Sequence, residues 1–194
     1  MLRSLVGSEM CIRDRTGITM QEANAQAPSV PSFLVTDANG MRKYGLGMVR
    51  PNGMGLRAGI ADGYIVQGQT LEELAGKLGI DATHLKQAAA DIGRFAQTGV
   101  DEQFQRGTTT YQRANGDATW TGPNPSLGPI ETAPFYALRL YPGDIGAATG
   151  FETDDQARTL DASGQPVEGL YAVGNDQHSI MGGTYPGPGI TLGP

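Results

Sequence analysis

Four apolar residues, Leu170-Tyr171-Ala172-Val173, run straight into Gly174-Asn175, and the chain then passes through a loop rich in glycine and proline to Gly187-Pro188-Gly189-Ile190-Thr191-Leu192. An unbroken apolar run of strand length, bounded by turn residues, is the pattern of a strand covered on both faces in an α/β sheet. A Gly-Pro turn ahead of Ile190 marks a helix start. This order predicts a buried strand over 170–173, fed by a hairpin with Arg158 to Leu160 on one side, a turn at 161–164, and Val167 on the other. Exposed N–H groups at a helix start, together with the helix dipole, favour an electron-rich group. Residues 189–192 therefore suit an anion or a cofactor edge, although Gly-Pro turns before helices are also ordinary architecture. Tyr185 stands four residues before Gly189, a spacing that lets its phenol O–H and the Gly189 N–H aim at one carbonyl oxygen, as in an oxyanion hole. A tyrosine held by a structural hydrogen bond is the other reading.

The remainder reads as two composition regimes meeting near residue 145. Phe33 to Thr36 is β-type and closes on Asp37, Asn39 and Gly40, a strand followed by a turn. Residues 41–63 carry Gly45, Gly47, Gly53, Gly55, Gly59 and Gly63 and read as loop with little regular structure, mobile or ligand-covering. Gly45-Leu46-Gly47 is no dinucleotide fingerprint, because Pro51 and Asn52 follow where the helix should form. Thr70 and Glu73 form a capping box, and Leu71, Leu74 and Leu78 mark a helix over 71–78 that stops at Gly79. Asp81 caps a second helix over 82–98, with Leu85, Ala88, Ile92 and Phe95 on one face and Gly99 after it. His84 reads as a solvated residue of its first turn. Residues 103–128 are polar and turn-rich, with Trp120 as the plug of a small satellite core. Phe135 to Leu140 alternates as a strand.

Composition removes several function classes. With 14 Lys and Arg against 20 Asp and Glu, the net charge is −6, which gives no general attraction to nucleic acid or anionic lipid. No apolar stretch approaches the roughly 18–20 residues that span a bilayer. One cysteine and two histidines rule against a structural zinc site, and no metal is expected. Residues 1–15 read as foreign to the fold, and setting them aside removes Cys11, which suits a reducing cytoplasm. A helix that starts at the last residues suggests a truncated chain.

Ordered blocks through the chain carry a resemblance. Asn124-Pro125-Ser126-Leu127-Gly128-Pro129-Ile130, Pro134-Phe135-Tyr136-Ala137, Pro142-Gly143-Asp144-Ile145-Gly146, Gly169 to Asn175, Met181-Gly182 and Thr184-Tyr185-Pro186-Gly187-Pro188-Gly189 resemble the FAD-dependent 3-ketosteroid dehydrogenases, within the wider fumarate-reductase-like flavoproteins. Thr70 to Ala75, the Phe95 helix and Gly99-Val100-Asp101 match in order, so the resemblance covers about residues 30–194. It implies a mixed α/β fold in which residues 16–144 belong to a substrate-binding cap domain and 145–194 return to the C-terminal part of a Rossmann-like FAD-binding domain. FAD is then the cofactor, against Gly174, Asn175, Gly189, Ile190, Thr191 and Leu192. The resemblance further implies that Tyr185 and the Gly189 N–H bind the carbonyl of a small hydrophobic ketone such as a steroid, while a separate tyrosine takes a proton and flavin N5 takes hydride. The family's base tyrosine lies just upstream of the segment matching Pro31 to Asp37, and no tyrosine precedes Tyr44 here; a G-x-G-x-x-G fingerprint is also missing. Both departures suit a fragment.

Two other readings stand beside it. A fumarate-reductase-like enzyme reducing an activated C=C should present Arg and His to substrate carboxylates, yet residues 174–194 hold no Arg or Lys and one His, His178. That favours a neutral carbonyl. A non-catalytic ligand-binding module would have to be complete, which sits badly with a chain ending at a helix start. His178 itself reads as a loop-packing or solvated residue, and Asp144 and Asp176 as turn caps.

Overall fold

A computed structural model describes residues 20–143 and 149–180. The described residues divide into two compact units, meeting between Tyr141 and Pro142. Helices and strands are mixed in an α/β fold, and no helix among the described residues is long and apolar enough to cross a membrane.

The first unit is built on a three-stranded antiparallel sheet of β1 (Ser32–Thr36), β2 (Val66–Gly68) and β3 (Phe135–Leu140), with β3 in the middle. Ser32 pairs with Leu140 and Thr36 with Tyr136 on one side of β3, while Val66 pairs with Ala137 on the other. Side chains alternate across a strand, so β3 serves two cores at once. Phe135 and Ala137 join Val35 and residues of the helices α3 (Leu71–Leu78) and α4 (Ala82–Thr98), among them Leu74, Leu78, Ala89 and Ile92. Tyr136 and Leu138 pack on the opposite face with Met41, Leu46, Val49 and Ile65.

Local chemistry sets the ends of α3 and α4, and both helices keep the bounds their sequence predicts. The Thr70 hydroxyl accepts from the Glu73 N–H at 3.1 Å, and the Glu73 carboxylate reaches back to the Gln69 N–H at 2.7 Å. Gly79 closes α3 in the left-handed region at φ 70°, with the Ile80 N–H on the Ala75 carbonyl, as helix C-termini commonly do. The Asp81 carboxylate accepts from the His84 N–H at 2.8 Å, and Gly99 closes α4. His84 itself is solvent-exposed.

The region 41–63 departs from the loop its glycines suggest. It holds the end of α1 (Ala38–Tyr44), a 3-10 turn at Pro51–Gly53 and α2 (Leu56–Ala61). Asp37 is the cause for α1: one carboxylate oxygen caps the helix at the Gly40 N–H, and the other accepts from the Thr132 N–H at 3.0 Å. Nor is Gly45-Leu46-Gly47 a loose strap. Leu46 and Val49 exchange backbone hydrogen bonds across Gly47 and Met48, and the Tyr64 hydroxyl accepts from the Met48 N–H at 3.1 Å. Gly47 is required there, since its φ is 60° and a Cβ would strike the Tyr64 hydroxyl and crowd Leu138.

The polar stretch after α4 contains α5 (Thr110–Ala114), capped by Thr109, and is held by buried polar groups together with a small apolar cluster in which Leu127 packs with Phe95 and Ala96 of α4. Asp101 accepts from the N–H groups of Gln103 and Phe104, both at 3.0 Å, and from the Arg106 guanidinium. Burial pushes its carboxyl up, but Arg106 and the N–H groups of Phe104 and Gln103 outweigh that and hold it below the usual carboxylate range. Buried Asn124 donates to the carbonyls of Gly99 and Arg106, each at 3.0 Å. Trp120 is half-buried, with its indole N–H enclosed against Gly122 and no hydrogen-bond partner. Asp117 takes Lys43, Tyr44 and Thr119 together, which fastens the end of α1 to this stretch.

The second unit carries β4 (Arg158–Leu160) and β5 (Pro166–Tyr171) as an antiparallel hairpin. Here the buried strand expected over 170–173 is corrected. β5 ends at Tyr171 and all six of its residues are exposed; Leu170 is 44% and Val173 67% accessible, and only Ala172, at 6%, is enclosed. Among the described residues β5 has one neighbouring strand and no helix packed on either face, so its apolar side chains have nothing to bury against.

Candidate functional site

The second unit brings Gly174 and Asn175 into a defined turn. Its scaffold begins at Asp154, whose carboxylate accepts from the N–H groups of Gln156 and Arg158, each at 3.0 Å, and from the Arg158 guanidinium at 2.7 Å. The Arg158 contact, chiefly, holds this carboxyl below its ordinary value. That knot sets Ala157, at φ 61°, to accept the Ala172 N–H at 3.0 Å, which fixes the end of the strand. Val173 is extended, and Gly174–Asp176 then wind into one 3-10 turn closed by the Gln177 N–H on the Gly174 carbonyl at 3.1 Å.

A second segment grips the far side of this turn. The Phe151 N–H donates to the Asp176 carbonyl at 2.9 Å and the Phe151 carbonyl accepts from the His178 N–H at 2.8 Å, a parallel bridge opposite Gln177. Gly174 has φ 62°, and nothing lies within 4 Å of where its Cβ would stand, so the backbone edge is bare on that side. Asn175, Asp176 and His178 are exposed.

Of the six cofactor positions expected from the sequence, Gly174 and Asn175 thus share one turn. Gly189, Ile190, Thr191 and Leu192 lie outside the described residues, as does Tyr185, and so does Asp144. The sequence reading missed Gly150 and Phe151. Their signal was the change of pattern after Gly150, where Phe151-Glu152-Thr153 begins to alternate; their partners lie too far downstream for local pattern to show them. No group of three or more His, Cys, Asp or Glu able to hold a metal ion occurs among the described residues.

A strand running into a bare glycine turn is the kind of edge that dinucleotide cofactors meet in α/β proteins, and the chain matches the FAD binding domain family over residues 7–192. It belongs to that family, whose cofactor is FAD. Among its relatives, 4-oxocyclohexanecarboxylate 2-dehydrogenase of Sinomonas cyclohexanicum is 42% identical over 167 residues, covering 86% of this chain and 28% of that protein. The 3-oxosteroid 1-dehydrogenase of Mycobacterium tuberculosis (strain ATCC 25618 / H37Rv) is 40% identical over 166 residues, covering 86% of this chain and 29% of that protein. Among solved structures, the 3-ketosteroid delta1-dehydrogenase from Sterolibacterium denitrificans, in complex with 1,4-androstadiene-3,17-dione, superposes with a TM-score of 0.81 at 39% identity, over 93% of this chain and 32% of that one. The chain therefore spans under a third of the length of these relatives.

The described residues fit the edge of such a cofactor. The open Cβ side of Gly174 lets a broad, flat group approach the peptide backbone without a side chain in the way, and the exposed Asn175 amide offers both a donor and an acceptor.

Proposed function

We propose that this chain is part of a longer FAD-dependent oxidoreductase that dehydrogenates a cyclic ketone, a 3-ketosteroid or a smaller relative of it, placing a C=C bond next to the carbonyl. The observation that carries the reading is the bare Gly174–Asp176 turn at the end of a strand, in a chain of the FAD binding domain family whose relatives are ketone dehydrogenases. Residues 16–144 would belong to the substrate-binding cap domain and 145–194 to the closing part of the FAD domain. Gly174, Asn175 and Gly189 to Leu192 would hold the flavin, which supplies a hydride acceptor at N5. Tyr185 donates its phenol O–H, and Gly189 its N–H, to the ketone oxygen. Polarising that carbonyl draws electron density from the adjacent C–H and acidifies it, so a base supplied outside this chain removes the proton as the hydride leaves the next carbon. The absence of Arg and Lys from residues 174–194 favours a neutral substrate at this end of the site. A cytoplasmic location suits the lack of cysteine after Cys11.

The test is Tyr185→Phe in the intact flavoprotein. Losing one of two oxyanion donors should lower turnover with a 3-ketosteroid about 100- to 1000-fold, with flavin content nearly unchanged because the hydroxyl serves the substrate. Unchanged turnover would remove Tyr185 from the mechanism. The isolated chain should bind FAD weakly or not at all, since most contacts to a dinucleotide come from its fingerprint region; stoichiometric flavin in its visible spectrum would contradict this division.

A further inference from the structure

We infer that Gly150 is a positioning residue for the cofactor turn, and that what matters at this place is the absence of a side chain. The inference rests on the reading that Gly174 and Asn175 meet FAD. A Cβ at Gly150 would stand 2.7 Å from the carbonyl carbon of Asp176 and 2.8 Å from that of Gln177, and closer still to the Asp176 carbonyl oxygen. All three atoms belong to the backbone, so no rotamer change relieves the crowding. The turn or the 149–151 segment has to move by about 1 Å, a displacement that in a preorganised site costs on the order of 100-fold.

The geometry separates this glycine from the others around it. Gly150 does not have the left-handed φ that Gly174 has, so its requirement is space and not conformation. It immediately precedes Phe151, whose N–H and C=O bracket the turn at Asp176 and His178. Close approach at Gly150 is what lets both hydrogen bonds form. Any side chain there would lever Phe151 away from the turn and loosen the hold on Asn175 and the bare face of Gly174, leaving the Ala157–Ala172 and Gly174–Gln177 hydrogen bonds to position them. Gly164, in the hairpin turn of the same unit, supplies the control: its φ is 78° with nothing within 4 Å of a Cβ, so an alanine there adds strain without touching the cofactor turn.

The experiment compares Gly150→Ala and Gly164→Ala in the intact FAD holoprotein. Gly150→Ala should lower turnover about 100-fold, raise the FAD dissociation constant, and shift the flavin's visible absorption bands and midpoint potential. Gly164→Ala should lower the unfolding temperature and leave flavin affinity, spectrum and potential as in the wild type. A folded Gly150→Ala protein with wild-type affinity, spectrum and potential overturns the inference. Where that variant does not fold, hydrogen exchange of the wild type decides: FAD should increase protection in peptides containing Phe151 and His178, and equal protection with and without FAD overturns the proposal. An intact wild-type protein that takes up no FAD refutes the functional reading itself.

Discussion

β3 and β5 are each six residues long, and β3 opens on the apolar run Phe135 to Leu138 while β5 closes on Leu170 and Tyr171, the start of another; yet the first four residues of β3 are buried and all six of β5 are exposed. Composition separates them in part, since β5 carries Pro166, Glu168 and Gly169; for Leu170 and Tyr171 the number of covering layers makes the difference. β3 lies between two strands, with α3 and α4 on one face and the Met41 to Ile65 cluster on the other. β5 has β4 alone beside it among the described residues. The same contrast holds for ion pairs. Asp101 and Arg106 are enclosed, whereas the Arg158 side chain that holds Asp154 is 41% exposed. An apolar run or a charge pair thus declares what it needs around it and not whether that surrounding exists.

The largest effect should come from the enclosed pair. Asp101→Asn leaves the Arg106 charge buried without its counter-ion and should cost about 3–5 kcal/mol in urea unfolding. Because the folded carboxyl lies below its unfolded value, the wild type keeps this contribution above roughly pH 4 and loses it as pH falls through the lower folded value. The variant should lack that acid limb, and the exposed-pair variant Asp154→Asn should lose much less. Equal losses in the two variants would break the comparison. Leu138→Ala, within β3, should cost about 2–5 kcal/mol through the cavity it leaves. Thr70→Ala, which removes the α3 cap, should cost about 1 kcal/mol. Smallest of all, Leu170→Ala on β5 should cost less than about 1 kcal/mol in this chain. A loss matching Leu138→Ala would mean that β5 is covered after all.

The elements legible in the sequence are those whose causes are local. Thr70, Gly79, Asp81 and Gly99 bound α3 and α4 through contacts within a turn of the helix end; β3 was legible as a strand, although Phe135 to Leu138 are buried on both faces and do not alternate in burial. α1 and α2 were hidden by glycines that lower helix propensity. Those glycines are there for close packing: a Cβ at Gly59 would stand 3.2 Å from Ile65, and one at Gly40 would strike Thr36. β2 is three residues long and owes its existence to pairing with β3. At the site, Gly174 and Asn175 were legible as a turn after a strand, whereas Gly150 acts through backbone atoms of Asp176 and Gln177, which no local pattern announces.

The register of the first sheet also orders events during synthesis. Among the described residues β1 pairs only with β3, and the Asp37 carboxylate that caps α1 also meets the Thr132 N–H, 95 residues further on. As a nascent chain leaves the ribosome from its N-terminal end, Phe33 and Val35 therefore emerge long before β3, the strand they pair with. α3 and α4, whose contacts lie between neighbours in sequence, are free to form a helical hairpin in that interval, since local contacts close fastest. The central strand is the last of the three in this sheet to be made, so a polypeptide halted ahead of Phe135 would present β1 without the strand it pairs with, a partly apolar edge open to whatever chaperone or neighbouring chain is within reach.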